Sequence, residues 1–129
     1  MNTVLVVAVG GAIGAIGRYL VVNGIGHWLG YGFPIGTLVV NVLGSLAVGV
    51  LVELGALVWS PSPELRAMLV VGVLGSFTTF STFSLDVVEL VQRDATLPAM
   101  GYIVASVVLC IAGLVFGMSL VRGIIGWAV

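Results

Sequence analysis

The chain has 129 residues, of which 60% are hydrophobic and only 7% charged, and its net charge is −1. A water-soluble domain carries about 25% charged residues, so the composition excludes one and expects an integral membrane protein. Near-neutral charge argues against a nucleic-acid partner, and the length accommodates one domain over 1–129.

A bilayer-crossing helix takes about 20 apolar residues. The chain divides into four such runs, at about 4–22, 35–59, 65–91 and 99–127, which predicts an all-α membrane fold. Between them lie Gly/Pro/polar breaks at 24–34, 60–63 and 92–98. Trp28, Tyr31, Trp59 and Trp127 fall near the predicted ends, where aromatic belts sit. The first run lacks a basic n-region and is crowded with glycine, so a retained helix is expected rather than a cleaved signal peptide.

In the first helix, Gly10, Gly14 and Gly17 recur at helical spacing. Small residues let helices approach closely where lipid removes the hydrophobic drive, so this face is expected to pack. Arg18 closes the run, and a structural role is expected for it, snorkelling to the interface or tying loop carbonyls. In the second helix Thr37, Asn41, Ser45 and Gly49 form one stripe. The Asn41 amide can bond a neighbouring helix or donate to an anion. Taken beside the third helix, the second role is favoured.

The third run carries the strongest signal. From Gly75 to Ser84 it reads Gly-Ser-Phe-Thr-Thr-Phe-Ser-Thr-Phe-Ser, six hydroxyls and three phenylalanines in an apolar chain. An unpaired hydroxyl at membrane depth costs roughly 1–3 kcal/mol, and polar groups kept there line a path or a site. Ser and Thr compete for backbone hydrogen bonds, so a broken helix is predicted, with the break between Gly75 and Thr79. Unwound backbone is tolerated where it is buried or lines a cavity, and its carbonyls suit a hard cation such as Na+.

The fourth helix aligns Tyr102, Ser106, Cys110, Gly113 and Gly117 on one face, polar above and small below. Tyr102 and Ser106 are expected to extend a hydrogen-bonding track, and the two glycines to pack. Asp86, Glu89 and Glu53 read as mouth or interface residues, His27 as a solvated loop residue, and Cys110 has no partner for a disulfide. No nucleophile, base and orienter come together, so no enzyme is expected.

Charge placement bears on assembly. The four basic residues are Arg18, Arg66, Arg93 and Arg122, and four spans put two on each side. That leaves the positive-inside rule almost nothing to act on and favours insertion in both orientations. An antiparallel homodimer then becomes possible, an inverted repeat built from two copies. Four helices are also too few to enclose a wide pathway alone.

These motifs together resemble the CrcB/Fluc family of fluoride channels over nearly the whole chain. The resemblance rests on Gly10-Gly-Ala-Ile-Gly-Ala-Ile-Gly-Arg-Tyr19, Gly36-Thr-Leu-Val-Val-Asn-Val-Leu-Gly44 and the 72–84 run, the last two being specific. It implies a passive, fluoride-selective pathway for export across the plasma (inner) membrane, with two pores in an antiparallel dimer embedded in lipid. It further implies a structural Na+ on the dimer axis, held by the carbonyls of Gly75 and Thr78. The implied pore residues are Phe80, Phe83 and Asn41, with a hydroxyl track of Ser81, Thr82, Tyr102 and Ser106. Cys110 stands where some relatives have serine, and Asp86 where many have glutamate. The competing expectation is a small dual-topology multidrug or cation exporter. Such proteins resemble one another in a membrane-embedded glutamate on the first helix, and that helix has no acid here.

Overall fold

A computed structural model describes residues 2–126. Four stretches in it are long and apolar enough to cross a membrane, Thr3–Leu29, Ile35–Leu57, Pro63–Gln92 and Thr96–Gly126. The protein is therefore a multi-pass membrane protein, with helices and no strand among the described residues. We label the helices α1 (Thr3–Leu29), α2 (Ile35–Leu57), α3 (63–77), α4 (Phe80–Gln92) and α5 (Thr96–Gly126).

Helix α1 outlasts the predicted stop at residue 22 and runs through Gly24 and Gly26 to Leu29. Glycine lowers helix propensity without forbidding helix, and in lipid the backbone has no better partner. The stop is Gly30, whose φ of 82° suits glycine, and whose N–H closes on the Gly26 carbonyl. Helix α5 likewise starts three residues before the predicted 99, at Thr96. Pro98 then occupies the first turn, where a missing N–H costs nothing. Trp127, one of the expected belt residues, lies outside the described residues; Trp28 is 91% exposed at the end of α1.

The third span is broken as expected, at the far edge of the predicted window. Thr78 (φ −80°, ψ 159°) and Thr79 (φ −155°, ψ 121°) are extended, separating α3 from α4. Ser62 caps the start of α3, accepting from the Leu65 N–H at 3.2 Å. Within α3, Ala67–Leu74 adopts a π-helical form that no feature of the sequence announced. This wider stretch is where α3 meets the small face of α1. A Cβ built on Gly10 would strike the Met68 carbonyl, and one on Gly14 the Val73 carbonyl. The expected packing role of these glycines is thereby borne out.

Helix α2 packs along α5 in the same manner. A Cβ on Gly49 would meet the Leu114 carbonyl, and one on Gly117 the Leu46 carbonyl. Near the other end of this pair, Leu90, Ala99 and Tyr102 form a buried cluster beneath Phe33, Leu38 and Phe83.

Glu53, expected at a mouth or interface, lies buried one turn from the end of α2. It is 4% exposed and bound by Arg122, Nε to Oε1 at 2.6 Å and Nη2 to Oε2 at 3.1 Å. Arg93 and Glu89 form a second pair at 3.3 Å, with both side chains about half exposed. A two-point contact to a buried carboxylate outweighs a single contact between exposed groups. Arg122→Ala is accordingly expected to lower the melting temperature in detergent well beyond Arg93→Ala. Equal shifts would show that the Glu53 carboxylate does not depend on its partner.

Candidate functional site

The extended backbone at the break is held from α2. Thr79 N–H donates to Asn41 Oδ1 at 2.7 Å, and Asn41 Nδ2 donates back to the Thr79 carbonyl at 3.0 Å. The side chain thus pairs with one residue's backbone as a neighbouring strand would. Thr79 is also the N-cap of α4, its Oγ1 accepting from the Thr82 N–H at 3.1 Å. The same Oγ1 lies 3.0 Å from Thr82 Oγ1 and 3.3 Å from Ser81 Oγ. Thr78 behaves differently, its N–H and Oγ1 both donating to the Leu74 carbonyl at 3.0 and 2.9 Å.

Two concavities flank this knot. One is a groove of about 420 Å³ between α2, α4 and α5, lined by Asn41, Thr79, Phe80, Phe83, Ser106 and Cys110 among others. The second, of about 250 Å³, opens at the α1–α2 turn, with Thr37, Thr82, Asp86, Glu89 and Arg93 on its wall. Between them stand Phe83 and Tyr102, ring centroids 5.3 Å apart, with Phe80 5.3 Å from Phe83 on the groove side. Thr79 lines the groove and Thr82 the outer cavity. Their hydroxyl contact therefore links the two across the aromatic layer.

Within the groove, the Ser106 hydroxyl is buried and has no hydrogen-bond partner. An unpartnered polar atom in a native interior calls for an explanation, and a polar occupant of the groove is one. No arginine lines this groove, whereas Arg93 lines the second cavity.

The family described as "CrcB-like protein, Camphor Resistance (CrcB)" matches residues 5–118. The chain belongs to the CrcB family. Among curated relatives, the "Fluoride-specific ion channel FluC" of Rhodospirillum centenum is 57% identical over 122 residues, covering 95% of this chain and 97% of its own. Proteins of the same name from Chelativorans sp. and Nitrobacter winogradskyi are 50% and 49% identical, over 97% and 92% of this chain. They are covered over 100% and 94% of their own lengths.

In this CrcB chain, the groove brings Asn41, Phe80, Phe83 and Ser106 together, from three helices. Thr82 instead faces the mouth cavity, and Ser81 is exposed, reaching the knot only through Thr79. Tyr102 is fully buried behind Phe83, and its hydroxyl donates to Asp86 Oδ2 at 2.9 Å. Asp86 and Glu89, expected at a mouth or interface, line the second cavity. Arg18 is half-buried and makes no side-chain hydrogen bond or ion pair to the described residues. Thr79 is the residue that sequence reasoning left out of the track. Its place as last residue before an apolar helical run was the available signal, since Thr is a favoured cap.

The resemblance implies a cation on the carbonyls of Gly75 and Thr78, and the local bonding fits an oxygen-seeking ion. In a continuous helix the Gly75 carbonyl would accept from Thr79 N–H, and the Thr78 carbonyl from Thr82 N–H. Those donors are taken by Asn41 Oδ1 and Thr79 Oγ1. Both carbonyls thus lose their helical partners, and a hard cation with oxygen ligands is the kind of ion they suit. Among the described residues, no cluster of His, Cys, Asp or Glu offers a competing metal site.

Proposed function

We propose that this chain forms a fluoride-selective passive channel of the plasma membrane, a single domain over 1–129 that works as an antiparallel homodimer with two pores. It is a channel and not an enzyme. The observation that carries the reading is the pair of cavities joined by the Thr79–Thr82 hydroxyl contact beside Phe80 and Phe83. Near-identity in length and up to 57% identity to proteins named fluoride-specific channels supports it.

The chemistry fits a small, strongly hydrated anion. Leaving water uncompensated costs on the order of tens of kcal/mol in a low-dielectric interior. A pathway must replace the hydration shell without holding the ion so tightly that it cannot leave. Neutral donors meet both demands: the Ser106 hydroxyl, the Thr79, Thr82 and Ser81 hydroxyls, and the one Asn41 N–H not given to Thr79. Ring edges carry the positive part of the aromatic quadrupole, so Phe80 and Phe83 can face an anion edge-on. Tyr102 backs Phe83, and Asp86 orients its hydroxyl.

Phe80 is 79% exposed in the single chain, so its ring has no cover there. A second copy supplies that cover, and lipid surrounds the remaining apolar faces. The two-and-two arginine placement supports opposite orientations of the copies. Carbonyls of Gly75 and Thr78, two from each copy, would hold Na+. Bound there, the ion supplies positive potential without placing a fixed cation in the pore. The multidrug-exporter reading fails on the absence of any acid in α1.

The deciding test is ion efflux from liposomes holding the purified protein, with fluoride compared against chloride. Fluoride efflux with chloride retained is expected. Equal leak of both ions, or no fluoride flux from a folded dimer, would remove the channel reading. Orientation is checked with Ser60→Cys on a Cys110→Ser background in intact cells. An impermeant thiol reagent is expected to label part of the population, and labelling of all or none would contradict dual insertion.

A further inference from the structure

Asn41 lines the groove and also grips the break, and the second contact has a consequence for α3. Four donors from the next turn could cap the Gly75 carbonyl: the N–H and the hydroxyl of Thr78, and the N–H and the hydroxyl of Thr79. The two Thr78 groups are both spent on the Leu74 carbonyl, at 3.0 and 2.9 Å. The Thr79 hydroxyl donates to Thr82 Oγ1 at 3.0 Å, which leaves the Thr79 N–H, and that reaches Asn41 Oδ1 at 2.7 Å. Resting on the cation reading above, we infer that Asn41 is a positioning residue for the cation site. Its amide keeps the Gly75 carbonyl open by occupying the one donor able to close on it.

The pairing is reciprocal, which makes it a constraint on backbone shape. Asn41 Nδ2 holds the Thr79 carbonyl at 3.0 Å, and Thr79 stays extended at φ −155°, ψ 121°. To donate to Gly75, the Thr78–Thr79 peptide would have to swing from an extended Thr78 ψ of 159° to a helical value, and the Thr79 N–H would leave Asn41. Helix α2 enforces the same shape one turn further on. A Cβ on Gly44 would collide with the Thr78 side chain, so α2 already lies against the break. Loss of the Asn41 amide leaves the Thr79 N–H buried without a partner, since the residue is 7% exposed. A buried orphan donor seeks an acceptor, and the Gly75 carbonyl is the one that helical continuation would offer it. The cation then competes with a hydrogen bond for one of its ligands.

The assignment separates Asn41 from residues that only touch the anion. It predicts a dependence on Na+ that is readable without any flux. Purified protein in detergent is melted across a NaCl series, with N-methylglucamine chloride keeping the ionic strength constant. A bound ion raises the melting temperature by mass action, so the series yields a half-effective Na+ concentration. For Asn41→Ala this concentration is expected to rise by about tenfold or more, the scale of one competing hydrogen bond. Asn41→Leu keeps the side-chain volume and gives the same reading if the alanine variant does not fold. Asn41→Asp keeps the acceptor for Thr79 N–H, so its half-effective concentration is expected to stay within about threefold of wild type or fall below it. Ser106→Ala, in the same groove but away from the break, is expected to lower fluoride flux with the Na+ response unchanged.

Unchanged half-effective Na+ in both Asn41→Ala and Asn41→Leu, with melting lowered equally in the two salts, overturns the inference. So does an aspartate variant that weakens as the alanine variant does. If the wild type conducts fluoride and its melting ignores Na+, the cation reading and this inference both fall, and the fluoride reading stands.

Discussion

Phe83→Ile is expected to cut fluoride flux by roughly thirtyfold or more, while the folded dimer persists and chloride stays excluded. Isoleucine is apolar and bulky enough to fill most of the space, so the contact with Tyr102 is changed in character more than lost. What disappears is the ring edge. Phe83 stands between the groove and the mouth cavity, 5.3 Å from Phe80 and 5.3 Å from Tyr102. On the proposed route, an ion crossing this layer would exchange water for hydroxyls on one side only, through Thr79 and Thr82. The other side must come from ring hydrogens. The mirror contact, a desolvated cation on a ring face, is worth about 2 kcal/mol or more, and that converts to the stated loss in rate. Phe80→Ile is expected to act in the same direction. Initial efflux from liposomes gives the rate, and melting in detergent shows that the fold is retained. Wild-type flux in both variants would place the pathway elsewhere.

Gly14→Ala is expected to destabilise the protein by about 1–3 kcal/mol, the usual cost of overpacking. The added methyl meets the carbonyl oxygen and carbon of Val73 and the Phe77 nitrogen, all backbone atoms that cannot rotate aside. Segment 73–77 must move, and it ends at the break. Flux is expected to fall with stability for that reason. Gly24→Ala is the matched control, with nothing within 4 Å of its added methyl. It lies inside α1, where alanine is the better helix former by about 1 kcal/mol, so it is expected to be neutral or slightly stabilising. Thermal melting of the two variants in detergent decides the matter. A Gly14→Ala protein as stable as Gly24→Ala would mean that α1 and α3 lie further apart than described.

The contrast between these two glycines also shows how far sequence reading reaches. Both look alike as residues in an apolar run. Periodicity placed Gly10, Gly14 and Gly17 on one face and so marked Gly14 for packing, correctly. It misread Gly24 as punctuation, because glycine is compatible with both a turn and a helix, and lipid tips the balance to helix. The break at Thr78 and Thr79 was legible because hydroxyls compete locally for backbone donors. The π-helical stretch before it was not. It coincides with the close approach of Met68 and Gly72 to Gly10, a contact between segments about sixty residues apart. The pairing of Glu53 was likewise out of reach, since its partner Arg122 lies 69 residues away.

Composition and local pattern alone determined that this is a four-span helical membrane protein, interrupted in its third span, with hydroxyls and rings gathered there. These properties follow from how each segment meets lipid, which acts on a residue and its neighbours within a turn or two. The tertiary structure alone decided how the polar residues are shared out. Asn41 and Ser106 join the groove, Thr82 and Asp86 the mouth, and Tyr102 is sealed between them. It alone decided that Asn41 spends its amide on Thr79, across 38 residues of chain. Such pairings depend on which helix faces meet and at what height, and no repeat within a single helix encodes that.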